Sequence, residues 1–256
     1  MKLATWNVNS INVRLEHVLR WLRETGTDVL CVQETKCTDD NFPNSEFEAA
    51  GYHTAFMGEK SYNGVAIISK NKIENVQRNM PEDFDDAPKR FLAADIGGVH
   101  FVNTYIPNGT KLWSDKFEFK LDWLARLRKY FDKNCQPEKN VVLLGDFNVA
   151  MEDIDVWNTE KWEGKLHFSL PERAAMFNVK QWGFSDTFRT LNPSLNEFSW
   201  WDFRTNAFSR NEGLRIDYVW ASQALMKLCS KSYIDQVPRG WERPSDHTPV
   251  VSEFKF

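Results

Sequence analysis

Apolar positions along the chain recur in two rhythms, and the changes between them mark the elements. LATWNV (3–8) alternates, the pattern of a strand. Leu15, Val18, Leu19 and Leu22 share one face of a helix over 14–25, and Gly26 stops it. DVLCVQ (28–33) and NVVLLG (140–145) are apolar runs that predict buried strands. GVAIIS (64–69) is a further strand, and FLAADI (91–96) and VHFVNTYI (99–106) are two more across a Gly97-Gly98 turn. Phe117, Leu121, Leu124 and Leu127 line one face of a helix over 115–131, and another helix is predicted over 171–182. LRIDYVWAS (214–222) and VVSEFKF (250–256) close the chain as strands. Many strands with irregularly spaced helices predict an α/β layered sandwich rather than a simple alternating parallel sheet. The best linker candidate, MPEDFDDAP (80–88), is short and runs straight into FLAADI, so one domain is expected over 1–256. Both halves repeat an apolar strand followed by an acidic residue, a hint of internal duplication.

The polar residues that end these strands carry the chemistry. Asn7 ends the first strand, Gln33-Glu34 the second, and Tyr105 and Asn108 lie at the end of VNTYIPN. Asp146 and Asn148 follow VVLLG, Asp217 sits inside an apolar strand, and Asp246-His247 precede the last one. Singly, each has a plain reading as a cap, a solvated strand end or a turn. Asp217 resists that reading, because a buried carboxylate is costly unless paired, and His247 is its natural partner. Together, oxygen donors without a Cys/His cluster suit a hard ion such as Mg²⁺. A second acid can activate water, an Asp behind a His fixes its tautomer, and amides with a phenol can cradle phosphate oxygens. This combination predicts a metal-assisted phosphodiesterase.

Composition narrows the choice. A net charge of −4 disfavours a protein held on nucleic acid by a broad basic patch alone. No apolar run is long enough for a transmembrane helix, and the N-terminus lacks the apolar core of a secretory signal. The four cysteines are scattered with no CxxC pair, which argues against a zinc ribbon and fits a reducing cytoplasm. His167, in GKLHFSLPER, is open at this point to readings as metal ligand, base, substrate contact or surface residue. NEFSWWDFRTNAF (196–208) is the best DNA-contact candidate, although its alternation also fits a strand with aromatic residues facing the core.

ATWNVNSI, VQETK, YNGVAI, TYIPNG, LLGDFNVA, FSWWDFR, GLRIDY and PSDHTPV, in that order, resemble the exonuclease III family of AP endonucleases, within the endonuclease/exonuclease/phosphatase superfamily. The resemblance spans residues 4–250. It implies a four-layer α/β sandwich of two mixed sheets with helices outside, double-stranded DNA with 3′ ends or abasic sites as substrate, Mg²⁺ or Mn²⁺ as cofactor, and a monomer without membrane attachment. It implies Glu34 as principal metal ligand with Asn7 and Asp246 close to the ion. Asp146 and Asn148 would activate or orient water and contact phosphate. His247 would bond the scissile phosphate with Asp217 behind it, and Tyr105 and Asn108 would complete the phosphate site. Asp146 and His247 are alternative general bases, and one or two metals would act. An aromatic near a displaced nucleotide is matched to Trp200 or Trp201, and Leu214 stands where some relatives carry an aromatic.

The same resemblance places Phe168 in the pocket for a base-less sugar and His167 where a small residue is typical. His167 is therefore expected to weaken incision at internal abasic sites while 3′→5′ exonuclease and 3′-phosphatase action persist. A full AP endonuclease is the alternative. An inositol or lipid-headgroup phosphatase and a catalytically dead nucleic-acid-binding module are remoter ones.

Overall fold

The computed structural model describes residues 1–81 and 87–256, so the acidic linker candidate falls mostly outside it. Strand β1 (Lys2–Asn7), helix α1 (Ile11–Thr25) and β2 (Val29–Gln33) make a unit whose two strands pair in parallel. Gly26 ends α1 as expected, in the left-handed region at φ 64°, with its N–H on the Leu22 carbonyl. Helix α2 (Asn44–Ala49), β3 (His53–Met57), β4 (Val65–Ser69), β5 (Glu74–Arg78), β6 (Phe91–Ile96) and β7 (Val99–Tyr105) follow. Next come α3 (Asp115–Asn134), β8 (Val141–Asp146), α4 (Thr159–Trp162), α5 (Leu170–Lys180), β9 (Phe184–Asp186) and α6 (Thr187–Leu191). The chain closes with β10 (Asp217–Ser222), α7 (Gln223–Met226), β11 (Cys229–Ile234) and β12 (Val250–Phe254).

The strands form two six-stranded sheets, ordered β11-β12-β1-β2-β4-β3 and β5-β6-β7-β8-β10-β9. In each, the central pair is parallel and joined by a long helix, α1 in one and α3 in the other, and the remaining pairs are antiparallel. This matching order gives structural substance to the hint of duplication. Leu3, Val29 and Cys31 from one sheet pack against Leu92, Phe101, Val142 and Leu144 from the other. The outer face of the first sheet packs on α1 and α2 through Trp6, Trp21 and Phe47. The outer face of the second packs on α3 and α5 through Trp123, Leu127, Met176 and Trp220. The layers are thus helix, sheet, sheet, helix, with β2 and β8, one central strand of each sheet, buried on both faces as their apolar runs predict.

The short strands β3, β5, β9 and β11 were not expected. β5 is largely exposed and polar, and β11 is half polar, so neither carries a continuous apolar run. LRIDYVWAS becomes a regular strand only from Asp217, since Leu214 pairs with Trp200 in an isolated bridge. NEFSWWDFRTNAF is not a strand. Only Trp200 bridges, and short 3-10 turns cover Phe203–Thr205 and Ala207–Arg210.

Two polar devices fix one end of the sandwich. Between the sheets, Gln33 Nε2 donates to Thr5 Oγ1 at 2.9 Å and to Asn103 Oδ1 at 2.7 Å, while Asn103 Nδ2 donates to the Val32 and Ala66 carbonyls. Beside β10, buried Arg215 meets Asp155 through Nε and Nη2 and Asp186 through Nη1. Such groups are tolerable inside because every donor finds an acceptor, although Gln33 Oε1 is buried without a partner. At Gly145 the parallel strands approach so closely that a Cβ would lie 1.9 Å from the Thr104 carbonyl oxygen, at φ 147°. Glycine is therefore required just before Asp146.

Candidate active site

The parallel pairs of both sheets end on the same side of the sandwich. Asn7 and Gln33-Glu34 leave one sheet beside Tyr105 and Asp146 of the other, and Asp217 lies opposite Asp146 in register. The loop before β12 is drawn in by Ser245, whose Oγ donates to the Asn7 carbonyl at 2.7 Å, and by Trp6 Nε1 on the His247 carbonyl. Nine predicted residues, from Asn7 to His247, thus come together at one place. Glu34 (φ 53°) and Asn148 (φ 53°) hold left-handed backbone without being glycine, a costly conformation typical of sites that the surroundings enforce.

Glu34, Asp146 and His247 offer atoms that all lie within 4.8 Å of one another. Glu34 Oε1 accepts from Asn7 Nδ2 at 2.8 Å and from the Tyr105 hydroxyl at 2.9 Å. Its Oε2 lies 2.6 Å from the Lys36 ammonium. Asn7 turns its NH₂ to Glu34 and Asp146, and its Oδ1 accepts the Asn9 N–H. Asp246 stands one step further out, accepting from Asn9 Nδ2 at 2.9 Å and Trp200 Nε1 at 3.0 Å.

His247 is the charge at the centre. Nδ1 lies 2.8 Å from Asp217 Oδ2 and Nε2 lies 3.7 Å from Asp146 Oδ2. Burial opposes the charged ring, but Asp217 and then Asp146 outweigh it and lift its pKa to about 10. Beside it, the carboxylate oxygens of Glu34 and Asp146 are donors of the kind that suits a hard ion. Ser199 also binds Asp217 Oδ2, at 2.6 Å, while Asp217 Oδ1 is buried without a partner. Burial lifts Asp146 to about 7, against the pull of His247 and with Asp217 adding to the rise. Burial and the neighbouring carboxylates keep Tyr105 protonated, well above its ordinary value.

Around this centre lie Asn108, Asn148, His167 and Trp200. Asn108 Nδ2 reaches Asn148 Oδ1 at 3.2 Å and His167 Nε2 at 3.4 Å. The His167 ring lies 6.2 Å from Trp200, and the Trp200 ring 6.4 Å from His247. Three aromatic or apolar candidates do not face the opening. Trp201 is fully buried among Phe198 and Ala207, because the chain turns after Trp200 and sends alternate indoles to opposite sides. Phe168 and Leu214 are buried in a cluster with Ile216, behind Trp162 and Trp200, with Arg173 over the Phe168 ring. They support the wall that Trp200 presents. Sequence reasoning missed Lys36, Ser199, Lys120 and Glu172. For Ser199 and Lys36 the signal was position, one residue from Trp200 and two from Glu34.

A centre that can take a hard cation and a phosphate group side by side, with a buried acid and an imidazolium, has what phosphoester hydrolysis needs. The pattern of the Endonuclease/Exonuclease/phosphatase family matches residues 4–247, and the chain belongs to that family. It is 34% identical to exodeoxyribonuclease III of Haemophilus influenzae, with all of both chains covered, which places it in the exonuclease III branch as a nuclease-type hydrolase. Among solved structures, the 3′ phosphatase NExo from Neisseria, bound to product DNA hairpin, matches with a TM-score of 0.96 at 39% identity. An AP endonuclease from Archaeoglobus fulgidus matches with a TM-score of 0.96 at 38% identity. Both matches cover the whole of each chain.

The charge on His247 is testable by itself. Asp217→Asn is expected to bring the His247 imidazole, followed by NMR titration, well below the wild-type value of about 10. A folded pKa raised above the unfolded one of about 6.5 stabilises fully below that pH and fades as pH rises towards 10. The stability gap between wild type and variant should therefore be widest just below about pH 6.5 and shrink steadily as pH rises towards 10. An unchanged imidazole pKa would contradict the assignment.

Proposed function

We propose that the protein is a DNA repair hydrolase that acts mainly at 3′ ends, removing 3′-phosphates and trimming 3′-terminal nucleotides, with weak incision at internal abasic sites. The likeness to exodeoxyribonuclease III and to the DNA-bound Neisseria 3′ phosphatase supports DNA as substrate. The single observation that carries the 3′-end preference is the placement of His167. Its backbone is left-handed, at φ 73°, and its N–H is held by Glu172 Oε1. Nδ1 lies 2.7 Å from the Asn148 carbonyl, so it carries the proton, and Nε2 faces the Asn108 amide. Burial, then the Lys120 charge, hold its pKa down to about 4, which makes the ring neutral at pH 7. The imidazole is thus pinned across the mouth between the asparagines and Trp200 instead of turning to solvent. A base-less sugar swung out of a continuous duplex needs that space. A 3′ terminus has no downstream strand and can approach end-on.

Glu34, with Asn7 and Asp246 beside it, would hold Mg²⁺ or Mn²⁺. When bound, the ion supplies Lewis-acid polarisation of a phosphate oxygen and balances charge. The chain's own residues do the rest. Asp146, with a pKa lifted to about 7, takes the proton of the attacking water at Oδ2. His247 is already protonated and serves as a donor to the phosphate, not as a base, while Asp217 holds the ring by Nδ1. Tyr105 orients Glu34 through its hydroxyl. Asn148, its Nδ2 on the Ile106 carbonyl, accepts Asn108 Nδ2 at Oδ1 and so steadies the Asn108 amide as the donor to a phosphoryl oxygen. Beyond Trp200, a cavity of about 270 Å³ lined by Trp157, Trp162, Lys161 and Lys165, with Asp202 and the Arg210–Glu212 ion pair on its rim, would offer stacking faces and two lysines to flanking DNA. A full AP endonuclease is the second reading, favoured by the equally close match to the Archaeoglobus enzyme.

Two variants test this assignment. Asp146→Asn should cost about two to four orders of magnitude in turnover while binding of a DNA hairpin survives. Near-normal turnover would remove Asp146 as the base. His167→Gly should raise incision at an internal abasic site relative to 3′-end trimming, compared in one assay. An unchanged ratio would count against steric blocking by the ring.

A further inference from the structure

Behind the two asparagines, a lysine and a glutamate lie fully out of contact with solvent. Lys120 of α3 and Glu172 of α5 are both completely buried, with Nζ 2.5 Å from Oε1. An ammonium has three donors. Lys120 directs the other two to the main-chain carbonyls of Asn108, at 3.2 Å, and Asn148, at 2.9 Å. Glu172 is equally committed. Its Oε1 also accepts the His167 N–H at 3.1 Å, and its Oε2 accepts the N–H and the hydroxyl of Ser169.

One ion pair therefore joins three loops: the one carrying Asn108, the one carrying Asn148, and the one carrying His167. A capping box needs only the Ser169–Glu172 half of this arrangement. The helix cap thus accounts for neither the lysine nor the His167 bond. Stability does not account for the pair either, since apolar side chains of similar volume do as well or better in an interior. What Lys120 and Glu172 grip is specific. Asn148 and His167 are both non-glycine residues in left-handed backbone, and both are held at their main-chain polar atoms. The Asn148 carbonyl takes Lys120 Nζ and His167 Nδ1 together, so the pair and the ring share one acceptor.

We propose that Lys120 and Glu172 are positioning residues that set the separation of the Asn108 and Asn148 amides and hold His167 across the mouth. They would thereby control both the rate at a 3′-phosphate and the choice between 3′ ends and internal sites. This rests on the 3′-end reading above for its second half only.

The test removes both charges together, Lys120→Met with Glu172→Gln, so that no unpaired ion is left buried. Lys120→Gln with Glu172→Gln, which likewise leaves no buried ion and keeps a polar group at both positions, carries the same expectation should the first double variant not fold. On a 3′-phosphate hairpin, kcat should fall by roughly 10- to 100-fold, as misplaced groups cost, with KM changed by less than about threefold if ground-state binding is untouched. The ratio of abasic-site incision to 3′-phosphate removal should rise. In a His167→Gly background the same substitutions should still lower kcat but no longer move that ratio. The ¹⁵N shifts of the His167 ring give an independent readout, since loss of the pair should release its Nδ1–H from the Asn148 carbonyl. If the ring shifts while His167→Gly leaves the ratio unmoved, the pair stands and the blocking role of His167 falls. A lowered melting temperature with kcat, ratio and ring shifts all unchanged would overturn the proposal and leave a structural ion pair.

Discussion

The structure turns on one buried imidazolium. His247 sits between Asp217 and Asp146 with almost no solvent contact, and three carboxylates, Glu34 among them, crowd within reach of it. Carboxylates this close repel one another and lose hydration, so they can share one place only if positive charge is supplied. His247 supplies part of it and Lys36, at Glu34, another part. The remaining negative character is what makes the site ready for a hard cation. The surrounding amides and hydroxyls, from Asn7, Asn148, Tyr105 and Ser199, exist to satisfy the oxygens that these charges leave over.

That arrangement depends on the two sheets ending in register. Each sheet contributes a parallel pair joined by a long helix, and the C-terminal ends of both pairs meet. The Gln33–Asn103 bond spans the sheets directly beneath them, and Gly145 lets β7 and β8 close up before Asp146. Strand ends on a rigid double sheet can hold groups to a fraction of an ångström, which flexible loops cannot do. His167, Trp200 and the Lys120–Glu172 pair all lie outside the strands. In the proposed reading His167 governs what reaches the centre, and the pair acts both on His167 and on the Asn108 and Asn148 amides of the centre.

Legibility in the sequence follows the same division. The strands DVLCVQ and NVVLLG announce themselves because both faces are buried, so the acids just past them could be placed as a set. Asp217 stood out because it interrupts an apolar strand, and its pairing with His247 is borne out by geometry. β5 and β11 were hidden because an edge strand facing water has no apolar run. Trp200 and Trp201 could not be told apart from alternation, since a single bridge followed by 3-10 turns decides which indole faces the opening. Lys120 and Glu172 read as ordinary charges on amphipathic helices. The Ser169–Glu172 half follows capping-box spacing, but Lys120 meets Glu172 and the main-chain carbonyls of Asn108 and Asn148 across separate loops, which no spacing rule reveals.

The most direct test is a side-by-side rate comparison for the unaltered protein on an internal abasic site, a recessed 3′-hydroxyl and a 3′-phosphate, with and without chelator. The account predicts metal-dependent hydrolysis of both 3′ substrates, with abasic-site incision slower by at least about tenfold, which corresponds to 1.4 kcal/mol or more of barrier. Incision of the abasic site at a rate equal to or above 3′-phosphate removal would contradict it.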